Sequence, residues 1–269
     1  LTESTRLSSR IVKALGAEPP AGFNYQLFLD EHGKKISKTK GNGLTIEEWL
    51  RYAAPETLQL FNFTAPKKAK KLYFDVIPKT ADEYWTHVGK YAEQDEAKRA
   101  ENPAWYIHQG DVPSVTPPVS FALLLNIVDA SGTSDPDVLR GFVAKYRPDA
   151  SKEEMTAMEP MLSYAVNYFQ DFVLPKKSFR DPTDQERAAL EFLSARLKEV
   201  GDGEVEDVYQ TLVFDAGKAQ DYENIREWFK GLYEVVFGQS EGPRMGPFVA
   251  IYGAEETAEL IDQALARKA

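Results

Sequence analysis

Lys35-Ile36-Ser37-Lys38-Thr39-Lys40-Gly41-Asn42 brings three ammonium groups, two hydroxyls and a glycine into eight positions. A lysine run alone is usually a solvated loop. Were it to meet a polyphosphate leaving group, mobile ammonium groups reaching the charge that builds there only in the transition state would lower the barrier selectively. Ser37 and Thr39 keep the loop tight and offer further donors, and the glycines let it move. Lys67, Lys68, Lys70 and Lys71 form a second basic stretch, read either as phosphate contacts or as a solvated linker. Lys176-Lys177-Ser178-Phe179-Arg180 pairs cations with an aromatic ring, which suits an unstacked base held by a phosphate grip, or a plain interhelical loop. Arg244 stands among prolines and glycines in what reads as a preset turn able to aim a guanidinium at a base edge.

Other chemistries have fewer residues to draw on. The chain lacks cysteine, which excludes disulfides, thiolate metal sites and cysteine nucleophiles. Its three histidines, His32, His87 and His108, are not spaced as ligands on one helical turn, so no metal site is expected. Acid pairs such as Glu153-Glu154 and Glu255-Glu256 sit where helices should begin and favour the helix dipole there.

The elements that must position these groups are mostly helices. Leu7, Ile11, Ala14 and Leu15 predict a helix over 2–15 that Gly16 stops, and 23–29 and 72–77 read as short strands. Asp30-Glu31-His32-Gly33 is a polar turn. A helix over 45–53 begins at a Thr45/Glu48 capping box, and Pro55 opens a second over 55–63. Residues 80–99 read as one long charged helix. The proline-rich stretch 112–119 is the candidate domain boundary. Beyond it the apolar period is helical: Met155, Met158, Leu162, Val166, Phe169 and Val173 form one stripe. Leu190, Leu193, Leu197 and Val200 form a second, and Ile225, Trp228, Phe229, Leu232 and Val236 a third. The fold class is mainly α, with a small strand-containing N-terminal part.

The 269 residues can bury a large core, and no apolar run is long enough to span a membrane. A basic-then-apolar leader is absent, so the cytoplasm is the expected compartment. A net charge of −10 argues at first against a polyanionic partner. Its distribution reverses that reading. Residues 34–71 hold nine bases against three acids, whereas 181–269 hold nine bases against nineteen acids. Only charges within about 10 Å act strongly on a surface, so one basic face can coexist with an acidic remainder.

The Lys-Ile-Ser-Lys-Thr form, flanked by Phe28-Leu29-Asp30 and Gly41-Asn42-Gly43, resembles the KMSKS signature of class I aminoacyl-tRNA synthetases. Pro55-Glu56-Thr57-Leu58, residues 65–75 and Gly242-Pro243-Arg244-Met245-Gly246-Pro247-Phe248 look like the class I lysyl-tRNA synthetases in particular. The resemblance covers essentially the whole chain. It implies the end of a catalytic domain over 1–44, a stem-contact helical region over 45–112 and an α-helical anticodon-binding cage over 113–269.

The resemblance further implies a lysine–tRNA ligase. Lys35, Ser37, Lys38 and Thr39 would be catalytic, and Lys35, Ile36 and Lys38 would lie against ATP. Lys67, Lys68, Lys70, Lys71, Lys176, Lys177, Phe179, Arg180 and Arg244 would bind tRNA(Lys). The family's HIGH motif is not found in this sequence. The chain is therefore expected to be a C-terminal portion, starting within a helix, that alone neither aminoacylates nor holds lysine or Mg-ATP, and needs no cofactor of its own. A glutamyl-type synthetase fragment and a non-catalytic RNA-binding module are the alternatives.

Overall fold

Residues 2–267 are described by a computed structural model, and they fold as fourteen α-helices with one two-stranded parallel sheet. The first helix, α1 (Thr2–Ala14), buries none of its residues and ends where Gly16 turns at φ 81°. Strand β1 (Phe28–Leu29) pairs with β2 (Lys70–Lys71), Phe28 opposite Lys70 and Leu29 opposite Lys71. The strand expected over 23–29 is thus reduced to its last two residues. Phe23, Tyr25 and Leu27 point into solvent, where nothing rewards an extended ladder.

Helix α2 (Ile46–Leu50) starts at the expected capping box: the Glu48 amide donates to Thr45 Oγ1 at 3.2 Å and the Thr45 amide to Glu48 Oε2 at 2.7 Å. Pro55 opens α3 (Pro55–Phe63). The strand expected over 72–77 does not form. The chain bends at 73–75 and α4 (Val76–Glu93) begins, with Pro78 in the first turn, where a missing amide costs no helical bond. The long helix expected over 80–99 breaks at Gln94–Asp95. There the Asp95 carboxylate accepts from the Lys98 amide at 3.0 Å and starts α5 (Glu96–Glu101), followed by α6 (Pro103–Ile107).

The helical remainder comprises α7 (Phe121–Ser131), α8 (Pro136–Tyr146), α9 (Lys152–Tyr168), α10 (Asp184–Val200), α11 (Glu206–Ala219), α12 (Ile225–Leu232), α13 (Met245–Tyr252) and α14 (Ala254–Ala266). Wider π-type turns, 169–173 and 233–237, extend α9 and α12. The apolar stripes face inward, and Met158, Leu162, Leu190, Leu193, Leu197, Trp228 and Leu232 are all core residues. The segment after Arg244, expected to continue its turn through Phe248, is instead a helix over 245–252 with Phe248, Val249 and Ile251 fully buried.

Two smaller cores complete the N-terminal part, and the first ties it to this bundle. Trp49, Tyr52, Ala53 and Ile77 bury with Tyr168, and Leu60, Tyr84, Val88 and Ala104 form the other. At the junction Tyr52 and Phe172 meet edge-on with centroids 5.0 Å apart, and Phe74 lies 4.2 Å from Phe172. The Tyr52 hydroxyl donates to Asp171 at 2.9 Å, and Arg51 pairs with the same carboxylate. Burial and that carboxylate push the Tyr52 phenol up to about 12, so it stays a donor at any physiological pH. From α4, Asp82 accepts the Phe121 and Ala122 amides and so caps the start of α7.

Candidate functional site

The lysine-rich loop is pinned at its base by two side chains. Buried Asp30, just after β1, accepts the His32 and Lys34 amides on Oδ1 at 3.0 and 2.8 Å. Its Oδ2 accepts the Asn42 side-chain amide at 2.8 Å. Asn42 in turn accepts the Ser37 amide at 2.9 Å. One carboxylate and one carboxamide therefore hold both ends of 34–42. The Lys34 amide, Asn42 and the His32 amide together draw the Asp30 carboxyl below its ordinary range, against its burial.

Within that clasp the chain pairs briefly with β1. Lys35 bridges Leu29, and the Ile36 amide donates to the Phe28 carbonyl at 3.3 Å. Lys38–Lys40 make one 3₁₀ turn, and Gly41 leaves it at φ 62°, a conformation that favours glycine. Gly43 passes so close to Ile36 that a Cβ there would lie 2.5 Å from Ile36 Cγ2. Lys34, Lys35, Thr39 and Lys40 are exposed, whereas Ile36 and Ser37 are half-buried. The Lys38 side chain lies outside the described residues.

A cleft of about 400 Å³ opens beside the clasp, lined by Asp30, His32, Asn42, Tyr73, Asp75 and, from the helical bundle, Lys176. Among the described residues no three His, Cys, Asp or Glu side chains are grouped to hold a metal ion. What the loop offers is ammonium and amide donors, which suit the oxygens of a polyphosphate.

The four lysines of 67–71 are not equivalent. Lys67 and Lys68 are exposed, and Lys71 donates to the Glu31 carbonyl at 3.0 Å from an exposed position. Lys70 turns inward. Its ammonium donates to the Phe61 carbonyl and to the Thr64 carbonyl at 2.6 Å, closing the C-terminus of α3, and it lies 4.8 Å from the Phe61 ring centroid. In that position its charge already serves the C-terminus of α3, unlike the charges of Lys67 and Lys68.

The 176–180 turn divides in the same way. Lys176 is exposed at the cleft, but Lys177 is paired with Asp129, both side chains nearly out of solvent. Arg180 spans Glu186 and Glu234. Phe179 carries the Arg267 guanidinium 3.8 Å above its ring centroid, and Gly238 approaches it closely enough that a Cβ would lie 3.1 Å away. The Phe179 ring is thus flanked by Arg267 and Gly238, and Lys177 and Arg180 are paired with internal carboxylates. Arg244 does remain exposed, at the N-terminal end of α13 and 3.6 Å from Asp207. The histidines are ordinary: His108 meets the Tyr84 hydroxyl at 2.8 Å, and burial lowers His87.

Sequence reasoning missed the Asp30–Asn42 clasp, although both residues were noted as flanks of the lysine loop. The signal was an acid and an amide bracketing a cationic segment, each followed at a short distance by glycine.

With this geometry in place, comparison with known proteins is specific. Residues 1–111 match the family of tRNA synthetases class I (K). Over 264 residues the chain is 47% identical to a lysine–tRNA ligase of Roseobacter denitrificans, covering 98% of this chain and 50% of that protein. Lysine–tRNA ligases of Rickettsia felis and Rickettsia akari are each 41% identical, over 96% of this chain and 50% and 49% of their own lengths. The chain thus spans about half the length of the curated relatives it matches. Among the described residues no helix is long and apolar enough to cross a membrane.

Proposed function

We propose that this chain supplies the pyrophosphate-contacting loop and the tRNA-binding surface of a class I lysine–tRNA ligase. The observation that carries this is the clasped loop 34–42. It presents exposed Lys35, Thr39 and Lys40 from a base fixed by Asp30 and Asn42, in a chain alignable almost end to end with lysine–tRNA ligases. In the reaction a lysine carboxylate oxygen bonds to the α-phosphorus of ATP, and the bond to the β-phosphate oxygen breaks to release pyrophosphate. Lys35 and Lys38, with the loop amides near Ser37 and Thr39, take up the charge that grows on that leaving group. The clasp fixes the ends of the loop beforehand, so only its crest has to close on the phosphates as the charge appears. Among the described residues no carboxylate cluster would hold Mg²⁺, so this chain would meet that ion only on the ATP phosphates.

The tRNA surface uses Lys67, Lys68, Lys71, Lys176 and Arg244, the basic groups of the expected set whose side chains stay exposed. Exchanging this chain for the corresponding half of the Roseobacter denitrificans enzyme tests the whole reading. Lysine-dependent exchange of pyrophosphate into ATP supports it. A folded chimera that binds lysine-accepting tRNA no better than glutamate-accepting tRNA, and exchanges no pyrophosphate, overturns it.

A further inference from the structure

At the end of α3, Phe63 stacks on Tyr106 of α6, ring centroids 5.3 Å apart and planes within 23°. Both rings stay open to solvent, Phe63 at 44% and Tyr106 at 52% exposure. Core packing therefore does not explain the pair. The Tyr106 hydroxyl is spent on the Ala100 carbonyl at 2.8 Å, which orients the ring and leaves its apolar face as the free part.

The neighbouring chain adds charge. Immediately after Phe63 and Thr64, Ala65 takes a left-handed φ of 46°, and the Lys68 amide closes a turn on the Ala65 carbonyl at 3.0 Å. Lys70 then folds back and donates to the carbonyls of Phe61 and Thr64, on either side of Phe63. The loop is thereby tied down at the aromatic pair, and the exposed side chains of Lys67 and Lys68 make no hydrogen bond or ion pair within the described residues.

We infer that Phe63 and Tyr106 form a stacking platform for one unpaired base of a bound RNA, with Lys67 and Lys68 gripping the adjoining phosphates. An exposed aromatic face beside free cations is what single-stranded nucleotides need: stacking tolerates any base, and the lysines supply the backbone attraction. The inference deepens the tRNA-binding reading above and rests on it.

The two contributions differ in salt dependence, which makes them separable. Fluorescence anisotropy of labelled lysine-accepting tRNA against this chain, over a salt series, is the measurement. Tyr106→Leu or Phe63→Leu should weaken binding by about five- to thirtyfold and leave the salt slope unchanged. Tyr106→Phe keeps the ring and should bind within about twofold of the original. Replacing Lys67 and Lys68 together by Ala should instead flatten the slope of log affinity on log salt by about 1.4 to 1.8.

Circular dichroism melts verify that each variant is folded. Leucine variants that are folded and bind as tightly as the original chain overturn the platform and leave the tRNA reading standing. No RNA binding by the unmodified chain overturns both. Leucine variants that alter sedimentation while leaving RNA affinity untouched identify the patch as a protein contact and likewise overturn the platform.

Discussion

The Asn42 carboxamide donates to the Asp30 carboxylate across 2.8 Å while accepting the Ser37 amide at 2.9 Å, so one side chain sets the spacing between strand β1 and the middle of the lysine loop. Twelve positions apart in sequence, the two residues turn a cationic segment into a loop with fixed ends and a free crest. Asn42→Ala removes both bonds. In the chimeric enzyme it should slow pyrophosphate exchange by about tenfold to a hundredfold, because a donor displaced by about 1 Å loses about that much. The Michaelis constant for lysine should barely move. Hydrogen exchange at the Ser37 amide should accelerate in the same variant, and an unchanged exchange rate there would remove Asn42 from the account.

Acid should loosen the clasp through Asp30. Its carboxyl is held below the ordinary carboxylate range by the Lys34 amide, Asn42 and the His32 amide. A depressed carboxyl pKa contributes stability that is present above the unfolded value and lost as pH falls through the folded one. The stability difference between the original chain and Asp30→Asn should therefore be constant above about pH 5 and shrink as the pH drops below about 4. Urea unfolding at a series of pH values measures it.

Lys70 and its neighbours should respond to mutation in opposite ways. Lys70→Ala uncovers the last carbonyls of α3 and should cost about 1–2 kcal/mol of stability in denaturant unfolding. It should leave the salt slope of RNA binding unchanged, since the ammonium faces α3. Lys67→Ala and Lys68→Ala should each alter that slope and leave stability within about 0.5 kcal/mol. A flattened slope for Lys70→Ala would return it to the RNA surface.

The local signals in the sequence were read correctly where a few adjacent residues decide the outcome. Thr45 with Glu48 and Pro55 start helices where they were expected to, and the 3.6-residue stripes become the core. The run Leu72-Tyr73-Phe74-Asp75-Val76-Ile77 misled because aromatic and β-branched residues suit strands in general. Here Phe74 and Ile77 instead bury against Trp49, Tyr52 and Phe172 at the junction with the bundle. The charged residues misled for a related reason. Lys177 meets Asp129 forty-eight positions away and Arg180 meets Glu234 fifty-four away, and such pairings leave no local trace.

Lys176 and Lys177 are adjacent in sequence, and the structure gives them different work. The Lys177 side chain is 11% exposed and paired with an Asp129 side chain that is 6% exposed, and Gln239 reaches the other Asp129 oxygen at 2.7 Å. Burial outweighs the lysine and holds the Asp129 carboxyl above its ordinary value, which indicates how dependent that acid is on its partner. Lys177→Ala leaves the acid buried with Gln239 alone and should cost about 3–5 kcal/mol. Removing both charges, as Lys177→Met with Asp129→Leu, should recover most of that loss, since the penalty lies in the unpaired charge rather than in the missing attraction. Lys176→Ala exposes no such charge. It should keep full stability and flatten the salt slope of tRNA binding by about 0.7 to 0.9, the share of one phosphate contact. Equilibrium urea unfolding and the anisotropy series together separate the two lysines. Equal stability losses at 176 and 177 would mean that the Asp129 pair is not the fastening that joins this turn to α7.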